Sequence, residues 1–209
     1  MLWLWACLAL LSTMLSSSAG TWPALADQND SRLDGLFERL QETSDPADAA
    51  GLQQLIWQIW IESDDATSSQ LMRRGMTAMA SGEHETALEA FDRLVAQAPG
   101  FAEAWNKRAT VYYLLGRLDQ SVSDIQHTLE LEPRHFGALS GLALIYDAVD
   151  NPDAAIRSLE AALEINPHLE GSQERISSCA RSRGVRGRDP AAAAMRPVAA
   201  PSRTSRAGR

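Results

Sequence analysis

Cysteine is nearly absent from this chain, since its 209 residues include only Cys7 and Cys179. Cys7 lies in a leading apolar segment that we expect to be removed, which would leave Cys179 alone. A single remaining cysteine cannot form an internal disulfide. The composition therefore excludes a disulfide-stapled fold, and the folded chain must be held together by packing.

Residue patterns typical of catalysis are also lacking. The four histidines form no HExxH pair and join no cysteine cluster, so a metal site has little support. Ser140-Gly141 falls inside a predicted helix with no strand before it, which does not fit a nucleophile elbow. The sequence contains no glycine-rich phosphate loop. We therefore expect a protein that is not an enzyme and that binds no metal ion and no cofactor. The histidines are His84, His127, His135 and His168.

Positive charge is missing from the N-terminus, where an apolar run from Met1 to Leu15 precedes small residues and the sequence Ala24-Leu25-Ala26. The run is shorter than the roughly 20 residues that a membrane-spanning helix needs, and small-x-small is the form of a signal-peptidase site. We predict a signal peptide at residues 1–26, cleaved after Ala26, and a periplasmic or secreted protein. An uncleaved helix anchored in the inner membrane is the alternative, and the missing leading charge leaves the position of the start codon open.

Acidic and basic residues are divided unevenly along the chain. Residues 181–209 hold eight arginines against Asp189 alone, a net charge of +7. The whole chain has a net charge of −8, so residues 1–180 carry −15. This segment is rich in proline and alanine, and we expect it to be disordered. It lacks the aromatic residues that interleave with basic ones in nucleic-acid-binding segments, so a nucleic acid partner is not favoured. A shifted reading frame near Ser182 and self-association of body with tail both stay open.

A period of 34 residues is the strongest positive feature. Pro99, Pro133 and Pro167 stand 34 residues apart, and each follows the same order of large and small residues. Small residues let two helices of a hairpin approach closely, large ones fill the space between them, and proline ends each unit. The matched sets are Leu71, Gly75, Ala78, Ala87 and Phe91; then Trp105, Ala109, Tyr112, Ser121 and Ile125; then Leu139, Ala143, Tyr146, Ala155 and Leu159.

On these residues the chain resembles the tetratricopeptide repeat family across about residues 68–169. The resemblance implies an all-α fold, a right-handed α-solenoid of helical hairpins with repeats at 68–101, 102–135 and 136–169. The interruptions at Ser81-Gly82, Gly116-Arg117 and Asp150-Asn151 divide each repeat into two helices. The predicted helices span 69–81, 85–97, 102–115, 119–131, 136–149 and 152–165.

The segments that flank the repeats fit the pattern less well. Within residues 27–67, two apolar faces over 33–62 predict a degenerate hairpin, whose expected role is to cap the exposed end of the stack. Trp57 and Trp60 are then core or cap residues, or one of them is an exposed anchor for a partner. Residues 170–180 are predicted to be a short C-terminal helix or a linker.

The resemblance also implies where a partner would bind. In this family the concave face is lined mainly by the first helix of each repeat, and peptides bind there. Methionines at helical spacing suit an adaptable apolar surface, although they are more often ordinary core filler. Met72 and Met76 stand where chaperone-binding members hold a peptide carboxylate, so that binding mode is not expected. The candidate groove residues are Met72, Met76, Met79, Asn106, Thr110, Tyr113, Ser140, Leu144 and Asp147.

Arg74 and Arg108 occupy one repeat position that usually carries leucine. They are expected either to form structural ion pairs with acids of neighbouring helices or to contact a ligand.

Taken together, the repeats and the export signal predict a non-catalytic adaptor of the bacterial cell envelope that binds a protein or peptide in its concave groove. The alternative is a self-assembling or membrane-anchored architectural protein that uses an uncleaved N-terminal helix. Contact with a membrane is expected only in that second case.

Overall fold

The computed structural model of the chain describes residues 30–186, with side chains through Arg183. The predicted signal peptide and most of the predicted disordered tail lie outside this range. The described part consists of helices and connecting turns without a strand, which confirms the predicted all-α helical repeat fold. The helices are α1 Arg32–Glu42, α2 Pro46–Ile61, α3 Ala66–Ala80, α4 His84–Gln97, α5 Ala102–Leu114, α6 Leu118–Leu131, α7 Phe136–Ala148, α8 Pro152–Ile165 and α9 Ser172–Arg186.

The three repeats are the packed pairs α3–α4, α5–α6 and α7–α8. Five of their six helices begin and end within one residue of the predicted bounds. The exception is α3, which begins three residues earlier than predicted. Asp65 explains this, because its side chain accepts a hydrogen bond from the Ser68 backbone N–H at 2.6 Å and caps the helix at that point.

Close contact between paired helices explains the small residues of the repeat. A Cβ atom added to Gly75 would lie 2.5 Å from the ring of Phe91 on the partner helix α4, too close for any side chain. The equivalent Ala109 and Ala143 are buried. Ser121 donates a hydrogen bond from its hydroxyl to the backbone oxygen of Ala109 at 2.7 Å. The repeat pattern thus records how closely the two helices of each hairpin pack.

Helix α9 extends beyond its predicted limit. The sequence predicted disorder from residue 181, which is wrong for residues 181–186, because α9 continues to Arg186. Its apolar side, formed by Ile176, Cys179 and Ala180, packs against the core of the third repeat. An exposed ion pair between Arg183 and Asp153 of α8, at 3.1 Å, adds a contact near the end of the helix. Arginine-rich composition suggested disorder, but this apolar side holds the helix on α8.

The N-terminal hairpin α1–α2 is not stacked on the first repeat as a cap, contrary to expectation. Its apolar face packs against α7 and the end of α8, where Phe136 and Ala162 share one buried cluster with it. Two polar contacts join the same surfaces across 100 and 123 residues of chain. Asp34 pairs with Arg134 at 2.7 Å, and Gln41 donates to the backbone oxygen of Glu164 at 3.2 Å.

The face of α3 offers a physical reason for this placement. Arg73, Arg74 and Thr77 of α3 are exposed polar residues, so this helix gives an aromatic-rich hairpin little apolar surface to bury. The hairpin instead turns back at residues 62–65 and buries its aromatic side chains against the third repeat. None of the helices within residues 30–186 has both the length and the apolar character needed to cross a membrane.

Candidate functional site

The nine predicted groove residues form three rows across the first helices of the repeats. Each row contains one repeat position taken from α3, α5 and α7, and the rows differ in how far solvent reaches them. The first row is Met72, Asn106 and Ser140; the second is Met76, Thr110 and Leu144; the third is Met79, Tyr113 and Asp147.

The first row is closed to solvent over two of its three positions. Met72 is only 2% exposed and belongs to the core of the first repeat. Asn106 is buried and donates from its side-chain amide to Glu103 at 2.9 Å. Ser140 is half-buried, and its hydroxyl donates to the backbone oxygen of Phe136 at 2.9 Å. These side chains are therefore committed to the protein's own interior.

The second and third rows are open. Thr110 and Asp147 are exposed, and Leu144 leaves 40% of its surface in contact with solvent. The other three side chains are half-buried, so each presents part of its surface. We call these six residues the open strip: Met76, Met79, Thr110, Tyr113, Leu144 and Asp147.

Helix α2 lies beside the first row and covers the beginnings of α5 and α7. The ammonium group of Lys107 lies 5.1 Å from the centre of the Trp57 ring. Gly137 lies under the same ring, and an added Cβ would come within 2.5 Å of it. The missing side chain of Gly137 is thus what lets Trp57 lie against the repeat. The sequence left the role of Trp57 open between interior packing and an exposed anchor, and its ring is half-buried in this contact.

Trp60 fills the centre of the same contact. It is 2% exposed and stacks on the imidazole of His135, with ring centres 4.1 Å apart and planes 11° apart. Trp57 meets Trp60 edge-on at 5.2 Å and Phe136 edge-on at 5.6 Å. Trp60 is thus an interior residue, as the first of the two interpretations expected, although it packs on the third repeat.

A buried carboxylate lies beneath the two tryptophans. Glu103 and His135 both have fully buried side chains, and the His135 Nε2 atom lies 2.7 Å from a carboxylate oxygen of Glu103. The Nδ1 atom of His135 accepts from the backbone N–H of Ala138 at 3.0 Å, so the ring proton resides on Nε2 and is donated to Glu103. Lys107 approaches the other carboxylate oxygen at 2.8 Å.

These partners set the charge state of Glu103. Burial raises the pKa of this carboxyl, but the Lys107 cation and the His135 hydrogen bond outweigh it and hold the pKa below the ordinary 4.5. Glu103 is therefore an anion with its charge already balanced. Sequence reasoning missed this cluster because Glu103 in α5 and His135 at the cap of α7 stand 32 residues apart and match no motif.

Arg108 forms the structural ion pair that the sequence offered as one of two interpretations. Its guanidinium binds both carboxylate oxygens of Asp124, at 2.7 and 2.8 Å, and reaches Asp92 at 2.9 Å. It also lies over the ring of Trp105, 4.8 Å from its centre. The equivalent Arg74 is exposed and makes no ion pair with the residues that the structure describes. The two arginines thus differ in role despite their shared repeat position.

Comparison with known protein sequences identifies the family to which this chain is similar. Sequence models of the tetratricopeptide repeat match residues 72–126 and 137–169. A TPR repeat-containing protein of Rhizobium etli is 38% identical over 149 residues, which cover 71% of this chain and 73% of that protein.

Two solved structures have a similar fold. The TPR2B domain of yeast Sti1, in a structure titled as its pHsp70 complex, is similar with a TM-score of 0.52 at 18% identity, covering 58% of this chain and 99% of that one. The first TPR of Spaghetti (RPAP3), bound to the HSP90 peptide SRMEEVD, gives 0.56 at 17% identity, covering 58% and 96%.

Proposed function

The chain belongs to the tetratricopeptide repeat family, and we propose that it is a non-catalytic adaptor of the bacterial cell envelope that binds a polypeptide segment on its open strip. Arrays of this kind present extended concave surfaces to other proteins. Of the two solved structures with a similar fold, one is titled as a pHsp70 complex and the other as bound to an HSP90 peptide, which supports a protein or peptide as the partner here.

The single observation that carries the proposal is the difference in exposure between the rows, since the first row is mostly closed to solvent and the other two are open. Helix α2 covers the beginnings of α5 and α7, whereas the second and third rows remain uncovered. Leu144 presents an exposed apolar side chain there, between the hydroxyl of Thr110 and the carboxylate of Asp147 in neighbouring positions. A binding site of this kind combines apolar contact area with a few polar groups that fix orientation.

The chemistry of the face favours apolar side chains of a partner over a terminal carboxylate. Lys107, the one lysine in the chain, is already engaged by Glu103 and covered by Trp57. Met72 lies in the core and Met76 offers a thioether, so neither supplies a donor for an anion. We therefore expect the partner segment to contribute apolar residues that contact Leu144, Tyr113 and Met76.

The location in the envelope rests on residues 1–26, which lie outside the described range. N-terminal sequencing of the protein purified from cells tests it. A chain that begins at Asp27 supports export and cleavage, whereas a chain that begins at Met1 supports the membrane-anchored alternative.

Binding is tested by recovery of partners from the envelope fraction on the full mature chain. Leu144→Glu and Tyr113→Glu place charge on the open strip, and Leu55→Glu is the matched control, since Leu55 is 46% exposed on α2 and lies outside the strip. We expect the two strip variants to lose a partner that the control retains. Equal recovery by all three, with unchanged circular dichroism, would contradict binding at the strip.

A further inference from the structure

The N-terminal hairpin is attached to two different repeats. At its C-terminal end, α2 continues into α3 of the first repeat through residues 62–65. The apolar face of the hairpin packs on the third repeat, where Phe136 of α7 and Ala162 of α8 join its buried cluster. Asp34 of α1 pairs with Arg134, just before α7, at 2.7 Å. The hairpin therefore connects the first repeat with the third.

The length of α2 matches the width that it crosses. Its 16 residues extend about 24 Å at 1.5 Å per residue. Three neighbouring helices with about 8–10 Å between their axes span about 16–20 Å from the first axis to the third. Trp57 lies along this path, against Lys107 of α5 and Gly137 of α7. Helix α2 is thus long enough to reach from α7 past α5 to the beginning of α3.

The buried cores of the repeats connect neighbours only. The core of the first repeat extends from α3 and α4 to Ala104 and Val111 of α5. A second buried cluster begins at Ala109 of α5 and continues through α6 to the third repeat and α9. The two clusters meet at α5, as expected for arrays in which each repeat contacts its neighbours. The hairpin adds a connection that this sequence of neighbours lacks.

The connection between α2 and α3 is short, and a cleft lies beside it. Glu62 and Asp65 have extended backbones, with ψ of 144° and 118°, and four extended residues reach at most about 14 Å. The Ser69 hydroxyl donates to the backbone oxygen of Ser63 at 2.8 Å. A cleft of about 580 Å³ lies between the connection and the side chain of Met76 on α3. The chain itself, more than packing on α3, therefore holds this end of the hairpin.

We propose that α2 is a strap that holds the first and third repeats at a fixed spacing, with Trp57 and Gly137 as the residues that position it. Docking of the hairpin sets the curvature of the repeat array. Release of the hairpin leaves that curvature to the contacts between neighbouring repeats.

The strap has a consequence for the open strip. The strip takes residues from α3, α5 and α7, so its width is the spacing that the strap fixes. A surface held at one width before a partner arrives loses less conformational freedom on binding. This consequence rests on the function proposed for the open strip, whereas the strap itself does not.

Double electron–electron resonance between pairs of nitroxide labels tests the strap on the full mature chain. In a background without Cys7 and Cys179, the labels are attached through Glu89→Cys, Ser123→Cys and Arg157→Cys, at exposed positions 34 residues apart on α4, α6 and α8. The 89–157 pair reports the spacing of the first and third repeats, and the 89–123 pair is the reference for two neighbours. No partner is needed, so failure of binding at the open strip does not affect this test.

Gly137→Gln displaces the strap, because an added Cβ at this position would lie 2.5 Å from the Trp57 ring. We expect the 89–157 distance distribution to widen by at least about 1.5-fold, since contacts between neighbours alone then set the spacing. The 89–123 distribution should change much less. Gly51→Gln is the matched control, because a Cβ added there meets nothing within 4 Å. An unchanged 89–157 distribution in Gly137→Gln, or equal widening in Gly51→Gln, would overturn the proposal.

A lengthened connection separates the strap from the packing of the hairpin itself. Insertion of Gly-Ser-Gly-Ser between Ser63 and Asp64 leaves the contacts with the third repeat intact. The amides of α1 and α2 should therefore stay protected from hydrogen exchange, while the 89–157 distribution widens. Retained protection without widening would show that the repeats set their own spacing. Loss of protection would show that the short connection holds the hairpin in place, and either result would refute the strap.

Discussion

Replacing Trp60 by alanine should release the N-terminal hairpin from the repeats. Trp60 is 2% exposed and packs on His135, Phe136 and Phe37, with ring centres 4.1, 5.2 and 6.0 Å away. Large-to-small changes of a buried tryptophan cost about 3–5 kcal/mol. The buried indole N–H has no hydrogen-bond partner among the described residues. Its removal offsets about 1 kcal/mol, so we expect a loss near the lower end, about 3 kcal/mol.

Hydrogen exchange followed by mass spectrometry measures this effect helix by helix. The amides of α1 and α2 should lose protection in Trp60→Ala, while those of α3 and α4 change little, because local opening involves only the segment whose contacts are lost. The matched control is Leu55→Ala in the same helix, which is half exposed and should shift protection by less than about 1 kcal/mol. Unchanged protection of α1 and α2 in Trp60→Ala would refute the role assigned to this side chain.

Three further predictions concern the repeats and their buried groups. In urea unfolding, Gly75→Ala should destabilise the chain by about 1–3 kcal/mol, because the new methyl group meets the Phe91 ring. Gly141→Ala should instead stabilise it by about 0.5–1 kcal/mol, because the added Cβ would lie 3.7 Å from its nearest neighbour. Glu103→Gln should lower the free energy of unfolding by about 1–3 kcal/mol at neutral pH. Because folding lowers the pKa of Glu103, its stabilising contribution is present above the ordinary 4.5 and is lost as pH falls through the folded value. The stabilities of wild type and variant should therefore converge in acid, and a constant difference would contradict this. Burial, together with Asp147 at 3.7 Å, raises the pKa of the Cys179 thiol. Alkylation of this thiol should therefore be slow in the native chain and fast in urea. Equal rates would show that the thiol is accessible in the native chain.

The repeat architecture could be predicted from the sequence because its determinants are local and recur. Gly75 must be small for Phe91 to fit, and the two residues lie within one repeat, so the 34-residue period displays the requirement three times. Helix ends were equally readable, as at Asn151-Pro152, where the asparagine side chain accepts from the backbone N–H of Ala154 at 3.2 Å. Tertiary contacts inside one repeating unit are therefore visible in a single sequence.

The position of the hairpin could not be predicted, because it depends on pairs that occur once and lie far apart. Trp57 fits over Gly137, eighty residues later, and nothing near either residue signals the other. The charge cluster of Glu103 and His135 has the same character, since its two members are 32 residues apart and the pair occurs once in the chain. The expected cap followed a general rule for repeat proteins, whereas the actual placement follows where the aromatic side chains find apolar surface.

The same distinction applies to the candidate site. The repeat register located the first helices correctly, so the nine predicted residues do fall on three rows. It could not show which row is closed, because Asn106 is buried where its side chain bonds to Glu103, a contact that no repeat position signals. The burial of Met72 in the core of the first repeat and of Asn106 against Glu103 is what reduces the predicted groove to the open strip.

The position of the hairpin on the third repeat is the central claim, and a short crosslink tests it most directly. In a background without Cys7 and Cys179, the pair Gln41→Cys and Glu164→Cys places thiols on α1 and α8, where the structure brings the two residues into hydrogen-bond contact. A short bismaleimide should link them within one chain at high yield, and the control pair Gln41→Cys with Glu89→Cys on α4 should not link. The reverse result, a link to Glu89 and none to Glu164, would place the hairpin on the first repeat as a cap and contradict the account.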